Sequence, residues 1–268
     1  MRFGNGAWDQ QQHDVWGMIL EAVQIQFRRG AGQLVTPVWE GLAGFVDAAL
    51  EHWHEPDQGI WEVRGDPKDF TASKVMCWVA AVRGAALADE RGDHERAKRW
   101  QAGAEEIKVE VLDKGVSAKG VFRQHYQTDD LDASLLLLPI MGFLPPDDER
   151  IKATVLAIAD DLTKDGLVLR YRVEGTDTGF SGEEGTFTIC SFWLVSALAM
   201  IGETERARAL AQKLLSFAGP LHLYAEEIDT TTGQHLGNFP QAFTHLSLIE
   251  ALTRLIESEP ENHPADGS

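Results

Sequence analysis

Apolar residues recur at a period near 3.6 along most of the chain, and the places where that period lapses divide it into helices and loops. The pattern predicts about nine helices, at roughly 9–29, 35–54, 70–91, 93–113, 130–142, 148–164, 186–201, 204–218 and 240–258. Start and stop signals support several of them. Thr36-Pro37 places a proline in a first turn, and Asp129-Asp130 and Asp147-Asp148 precede apolar-periodic runs. Gly202 follows Ile201 as a stop. Short connections at 91–93, 143–147 and 202–203 alternate with long glycine-bearing ones at 55–69, 114–129, 165–185 and 219–239. In an array of helical hairpins the long connections gather at one end and carry function there. Within one of them, Leu167 to Arg172 alternates weakly and is expected to form a short strand. The residues after Ser258 are polar and proline-containing, and are expected to form a flexible tail, 259–268. No close repeat and no internal domain boundary is evident, so 1–258 reads as one all-α body.

Charge narrows the partners. With 24 basic and 42 acidic residues the chain carries a formal net charge of -18, and it contains no basic stretch. Nucleic acid and anionic membrane surfaces are disfavoured partners. The 268 residues are enough for a sizeable core, and the 44% hydrophobic and 25% charged content is that of a soluble globular protein. The longest apolar run, around Leu135 to Leu144, is interrupted by Pro139 and Gly142 and is too short to span a bilayer. Met1 to Asp14 has no apolar signal-peptide core, so a cytoplasmic location is the expectation. Cys77 and Cys190 both lie in apolar runs and read as buried free thiols.

The candidate chemistry lies in two of the long connections. One holds Gly59-Ile60-Trp61-Glu62-Val63-Arg64-Gly65, the other Leu223-Tyr224-Ala225-Glu226-Glu227-Ile228-Asp229. Each sets a glutamate beside an aromatic in a stretch suited to burial. Two carboxylates in one pocket are what acid/base cleavage of a glycosidic bond requires. Trp61 and Tyr224 are the aromatics best placed to serve as sugar platforms. Taken singly, each glutamate is as well explained by an ordinary turn or acidic loop, and composition does not separate Glu226 from Glu227. Other constellations carry less. His52, His54 and Asp57 do not share a helix face or a recognised zinc spacing, so no metal is expected. Gly182-Glu183-Glu184-Gly185 lacks the lysine and the spacing of a phosphate cradle, and no Gly-x-Ser-x-Gly elbow occurs.

The ordered set of motifs resembles glycoside hydrolase family 15, the bacterial glucoamylase- and trehalase-like enzymes. The likeness runs from Glu55-Pro56-Asp57-Gln58-Gly59-Ile60-Trp61-Glu62-Val63-Arg64-Gly65 and Ser73-Lys74-Val75-Met76 through Leu131-Asp132-Ala133-Ser134 and Gly142-Phe143-Leu144-Pro145. It continues to Ser191-Phe192-Trp193-Leu194, Ala225-Glu226 and Gly237-Asn238-Phe239-Pro240-Gln241-Ala242-Phe243. The resemblance implies an (α/α)6 toroid and an inverting mechanism, with Glu62 as general acid and Glu226, directly after the small Ala225, as general base. It implies that Trp61 and Arg64 contact substrate, and that Arg170 and Glu184 reach the terminal glucose. It implies no cofactor. The substrate class would be trehalose or maltooligosaccharides.

The chain departs from the family pattern. The β-sandwich and the first toroid helices of the family are absent, leaving about nine of twelve helices. Val82 stands where relatives often carry an acidic residue, and Asp69 where a histidine is common. An opened ring is expected to expose apolar helix faces, which predicts either self-association into a homo-oligomer or a rearranged closure. The competing reading is an inactive toroid that binds a glycan or a protein. A third, a six-hairpin epimerase, lacks the histidine pair its chemistry needs.

Overall fold

The computed structural model describes residues 7–30, 35–172 and 186–258. Two compact units divide the chain, the first ending at Asp130 and the second comprising Leu131–Arg172 and the described residues from Thr186 onward. The expected tail, 259–268, lies outside the described residues.

The first unit contains α1 (Asp14–Arg28), α2 (Thr36–His52), α3 (Thr71–Glu90) and α4 (His94–Lys114). The third is its centre. Continuous burial from Thr71 through Ala81, then Gly84, Ala85, Leu87 and Ala88, leaves α3 apolar nearly all round, which is the pattern of a core helix rather than a surface one. It packs against α1, α2 and α4. Against this hub, α2 and α4 meet through Trp39 and Trp100, whose ring centroids are 5.8 Å apart. Trp100 is fully buried and donates its indole N–H to Asp47 at 2.7 Å, so the ring is buried with its one polar group satisfied.

Asp93 starts α4 by accepting a hydrogen bond from the Arg96 N–H at 3.2 Å. Without the cap, that donor faces water with no fixed partner. Asp93→Ala is therefore expected to lower the free energy of unfolding by about 1 kcal/mol, measurable as a reduced urea midpoint. An unchanged midpoint would remove the cap from the account of this helix.

The second unit begins with a 3-10 turn, Ala133–Leu136, running into α5 (Leu137–Ile140). The helix expected at 130–142 is thus much shorter. Asp132 caps it late, accepting from Ser134 N–H at 2.7 Å, and Gly142, with φ 72°, ends the turn. Then come α6 (Glu149–Asp161), β1 (Thr163–Lys164), β2 (Leu167–Val168), β3 (Thr186–Phe187), α7 (Thr188–Met200), α8 (Thr204–Ser216), β4 (Glu227–Ile228), β5 (His235–Leu236) and α9 (Ala242–Ser258). The helix expected to reach 164 stops at 161 because Asp165 and Gly166 take φ of 49° and 73° and turn β1 back onto β2. An Asp-Gly pair with both residues left-handed is a favoured two-residue hairpin turn.

In this unit α7 is the hub. Nearly all of its residues are buried, Cys190 through Ala199 without interruption, and α8 and α9 pack on it. The last helix turns Thr244, Ser247, Ala251 and Leu255 inward, while Phe243, Leu246, Ile249 and Ile256 are each more than 60% exposed. Its outward face is thus more apolar than its inward one, in line with the expected exposure of apolar helix faces. No described helix is long and apolar enough to cross a membrane.

Candidate active site

The two glutamate segments fall in different units, and each is built by its own unit. Both lie in long connections, Glu62 between α2 and α3 and Glu226 between α8 and α9.

In the first unit, the loop after α2 is closed at its base by Asp57 and Lys68. Asp57 N–H donates to Lys68 O at 3.0 Å, and Lys68 N–H donates to Asp57 O at 2.8 Å. Inside that closure the chain makes a tight reversal. Val63 N–H donates to Gln58 O at 3.1 Å, and Glu62 N–H donates to Gly59 O at 3.2 Å. The reversal forces Glu62 to φ 54°, a left-handed conformation that a residue with a Cβ adopts only against a steric penalty. Val63 packs inward, and Trp61, Glu62 and Arg64 are half-buried beside it.

Beneath the loop lies a set of buried polar groups. Asp57 is 1% exposed and accepts the His13 N–H at 2.9 Å. Burial pushes its carboxyl up to about 6, although the His13 N–H and the neighbouring Ser73, Lys74 and Gly59 favour the charged form. Asp14 is raised to about 6 by burial and by Asp57, and His13 is lowered to about 4, chiefly by burial. Lys74, also 1% exposed, donates to Glu55 O at 2.7 Å and pairs with Asp69 at 3.1 Å. Burial works against the Asp69 charge, yet Gln127 and Lys74 together hold that carboxyl below its ordinary range.

In the second unit, a three-stranded antiparallel sheet ordered β3-β4-β5 carries the Glu226 segment. Glu226 immediately precedes β4. Its N–H donates to Asn238 O at 3.0 Å, and its carbonyl accepts Thr188 N–H at 2.9 Å. The side chain is held as well, because Oε2 accepts the Asn238 N–H at 3.1 Å. Glu227 lies in β4, opposite Phe187 and Leu236. Successive residues of an extended chain face opposite sides, which separates the two glutamates that composition leaves equivalent. The Arg170 guanidinium lies 5.5 Å from the Phe187 ring centroid and 5.8 Å from that of Tyr171, so the structure brings Arg170 beside the cross-strand partner of Glu227.

One expected substrate contact is corrected. Tyr224 is not a sugar platform, since it is 1% exposed and its hydroxyl donates to Leu214 O at 3.1 Å. That carbonyl belongs to the last turn of α8 and also accepts the Phe217 N–H at 3.1 Å, so the phenol has a structural use, at the end of the helix, that draws the ring inward. There it stacks with His235 and meets Phe192 edge-on, at 6.1 and 5.7 Å between centroids. Glu184 lies outside the described residues. Both cysteines are buried and free, as expected, and burial pushes both thiols up. Among the described residues no group of three His, Cys, Asp or Glu is placed to hold a metal.

Three features of the site are not apparent in the glutamate motifs themselves. They are the Asn238 N–H that holds Glu226, the glycine before it, and the segment 10–13 that grips the first loop. A Gly-Asn pair between a strand and a helix is a turn signal that locates the first two. Nothing local marks the third, because its contacts span 44 to 53 residues.

A family model described as glycosyl hydrolases family 15 matches residues 1–253, and the chain belongs to that family. Within it, the chain is 60% identical over 261 residues to a trehalase of Mycolicibacterium smegmatis, and the match covers 97% of this chain and 39% of that protein. It is 59% identical to a trehalase of Mycobacterium tuberculosis, covering 97% and 38%. A more distant relative is an isomaltose glucohydrolase of Kribbella flavida, 28% identical over 210 residues and covering 76% and 51%. The chain thus spans roughly two fifths of the length of the two mycobacterial trehalases. Among solved structures, a wild-type glycosidase superposes with a TM-score of 0.78 at 22% identity, covering 97% of this chain and 70% of that one. A bacterial glucoamylase complexed with acarbose gives 0.76 at 15%, covering 94% and 42%. These likenesses show the fold, that of the glucoamylase-like (α/α)6 class.

Proposed function

We propose that this chain carries the acid and base of an inverting hydrolase of α-glucosidic bonds, with trehalose as the favoured substrate. The observation that supports it most is the backbone of Glu62. A glutamate at φ 54°, where glycine would be unstrained, is backbone strain of the kind that clusters at active sites. The fixed carboxylate of Glu226 supports the partner role, and the 60% identity to a trehalase supports the substrate.

In this reading the Glu62 carboxylic acid protonates the glycosidic oxygen as the bond from the anomeric carbon breaks. Glu226 takes a proton from a water that attacks the opposite face of the sugar. The two carboxyls of an inverting pair stand roughly 6.5–9.5 Å apart to admit that water. Trp61, Arg64 and Arg170 would line the glucose site, and no metal or organic cofactor enters the chemistry.

Inversion makes a sharp product expectation. One glucose of trehalose receives the water and emerges as the β anomer, and the other leaves with its α configuration. Proton NMR of the first turnovers is therefore expected to show α- and β-glucose in equal amounts before mutarotation. Two α products would overturn inversion, and a chain silent on trehalose, maltose and isomaltose would overturn the hydrolase reading. The alternative is a glycan- or protein-binding module. Calorimetric binding of trehalose without turnover is its signature.

A further inference from the structure

The loop that carries Glu62 has two kinds of restraint. Some lie within it, and the others come from the segment just before α1. Gln58 N–H donates to Gln11 O at 3.1 Å, and Gln11 N–H returns a bond to the Gln58 side chain at 3.3 Å. Gln10 donates its side-chain amide to Val63 O at 3.0 Å, next to Glu62 itself. His13 N–H donates to the Asp57 carboxylate. Four consecutive residues, 10–13, thus run along the loop and fasten it at Asp57, Gln58 and Val63.

Asp57 is the point where these restraints meet. Its backbone closes the base of the loop against Lys68. Its carboxylate faces the His13 N–H from the segment before α1, the Gly59 N–H from the reversal, and Ser73 and Lys74 from α3. A carboxylate 1% exposed is kept in such a place only if its acceptor capacity is used. The loop needs that anchoring, because a left-handed glutamate relaxes toward negative φ as soon as the turn around it loosens.

We propose that Asp57 is a positioning residue for Glu62, fastening segment 10–13, the reversal and α3 together so that the glutamate is held in its left-handed conformation. This rests on the reading of Glu62 as the general acid. The role is distinct from catalysis, since Asp57 is buried beneath the loop and is argued to act only through it.

The test uses the full chain and two readouts. Asp57→Ala is expected to speed amide exchange at Val63 and Lys68, whose N–H groups make the loop's closing bonds, by at least about tenfold. Exchange at buried Ile107 in α4 should stay unchanged. In the same variant kcat on trehalose is expected to fall about a hundredfold, as for an ångström-scale displacement of a reacting group, with KM within about threefold. Asp57→Asn keeps one acceptor for His13 and is expected to recover part of both losses. Gln10→Ala, at a half-buried site that does not threaten folding, should loosen Val63 alone. Unchanged Val63 and Lys68 protection in Asp57→Ala, or in Gln10→Ala at Val63 if the first variant does not fold, overturns the proposal. So does a loosened loop with undiminished kcat. A wild-type chain without turnover overturns the hydrolase reading instead, and the exchange data then decide whether Asp57 fastens the loop.

Discussion

Glu62→Gln and Glu226→Gln are each expected to reduce release of glucose from trehalose by at least about a thousandfold, within the range that a general acid or base supplies. The amide is nearly isosteric with the carboxyl and cannot donate or accept the proton that each step needs. In Glu226→Gln the amide oxygen can still accept the Asn238 N–H, so the loop geometry survives and the loss reports chemistry. The two variants should part on α-glucosyl fluoride. Fluoride departs without protonation, so Glu62→Gln is expected to regain much of its rate there, whereas Glu226→Gln still lacks a base for the water. Steady-state kinetics on both substrates checks this. Equal turnover of trehalose by wild type and either variant would sink the assignment of that glutamate, and rescue of the wrong variant would exchange the two roles.

Gly237→Ala is expected to be nearly as damaging, although the residue has no chemistry of its own. It sits at φ 75°, and a Cβ there would lie 2.7 Å from Glu226 Oε2 and 3.0 Å from Glu226 Cβ. Both separations are shorter than ordinary van der Waals contact, so either the Glu226 side chain or the Gly237 backbone must give. The Glu226 side chain is what the added Cβ meets, and if it is the base as proposed, a displacement of about 1 Å is expected to lower kcat roughly a hundredfold. The left-handed backbone adds about 1–2 kcal/mol of strain for alanine. Gly237→Asn separates the two effects, because asparagine tolerates the left-handed region but still brings a Cβ. If the collision dominates, asparagine is as poor as alanine in kcat while its melting temperature is closer to wild type. A fully active alanine variant would show that Glu226 need not be where Asn238 holds it.

The helical frame was legible because its signal is periodic and local. Eight of the nine expected segments correspond to full helices, with ends shifted by a few residues, and the ninth, at 130–142, shrank around its late Asp132 cap. The misplaced ends have physical causes. The first helix starts at Asp14 rather than near 9 because residues 10–13 spend their hydrogen bonds on the Glu62 loop. The sixth stops early because an Asp-Gly turn folds β1 onto β2. The motifs marked Glu62 and Glu226 but not what steadies them, since the Gly237-Asn238 turn signal locates a bend without saying which carboxylate its N–H meets. Tyr224 misled because an aromatic beside a glutamate reads the same whether its ring faces a sugar or a helix end. Only the Leu214 carbonyl distinguishes the cases.

The arrangement of two hubs, α3 in one unit and α7 in the other, has a consequence for how the protein fails. Each nearly all-buried helix is the natural centre of a cooperative unit that opens as a whole. Glu62 rides on the first and Glu226 on the second. If the two glutamates act as proposed, opening of either unit would remove one of them from the chemistry while the other stayed native. On the proposed reading, hydrolysis is then expected to be lost at the melting of the weaker unit, before the molecule as a whole has melted.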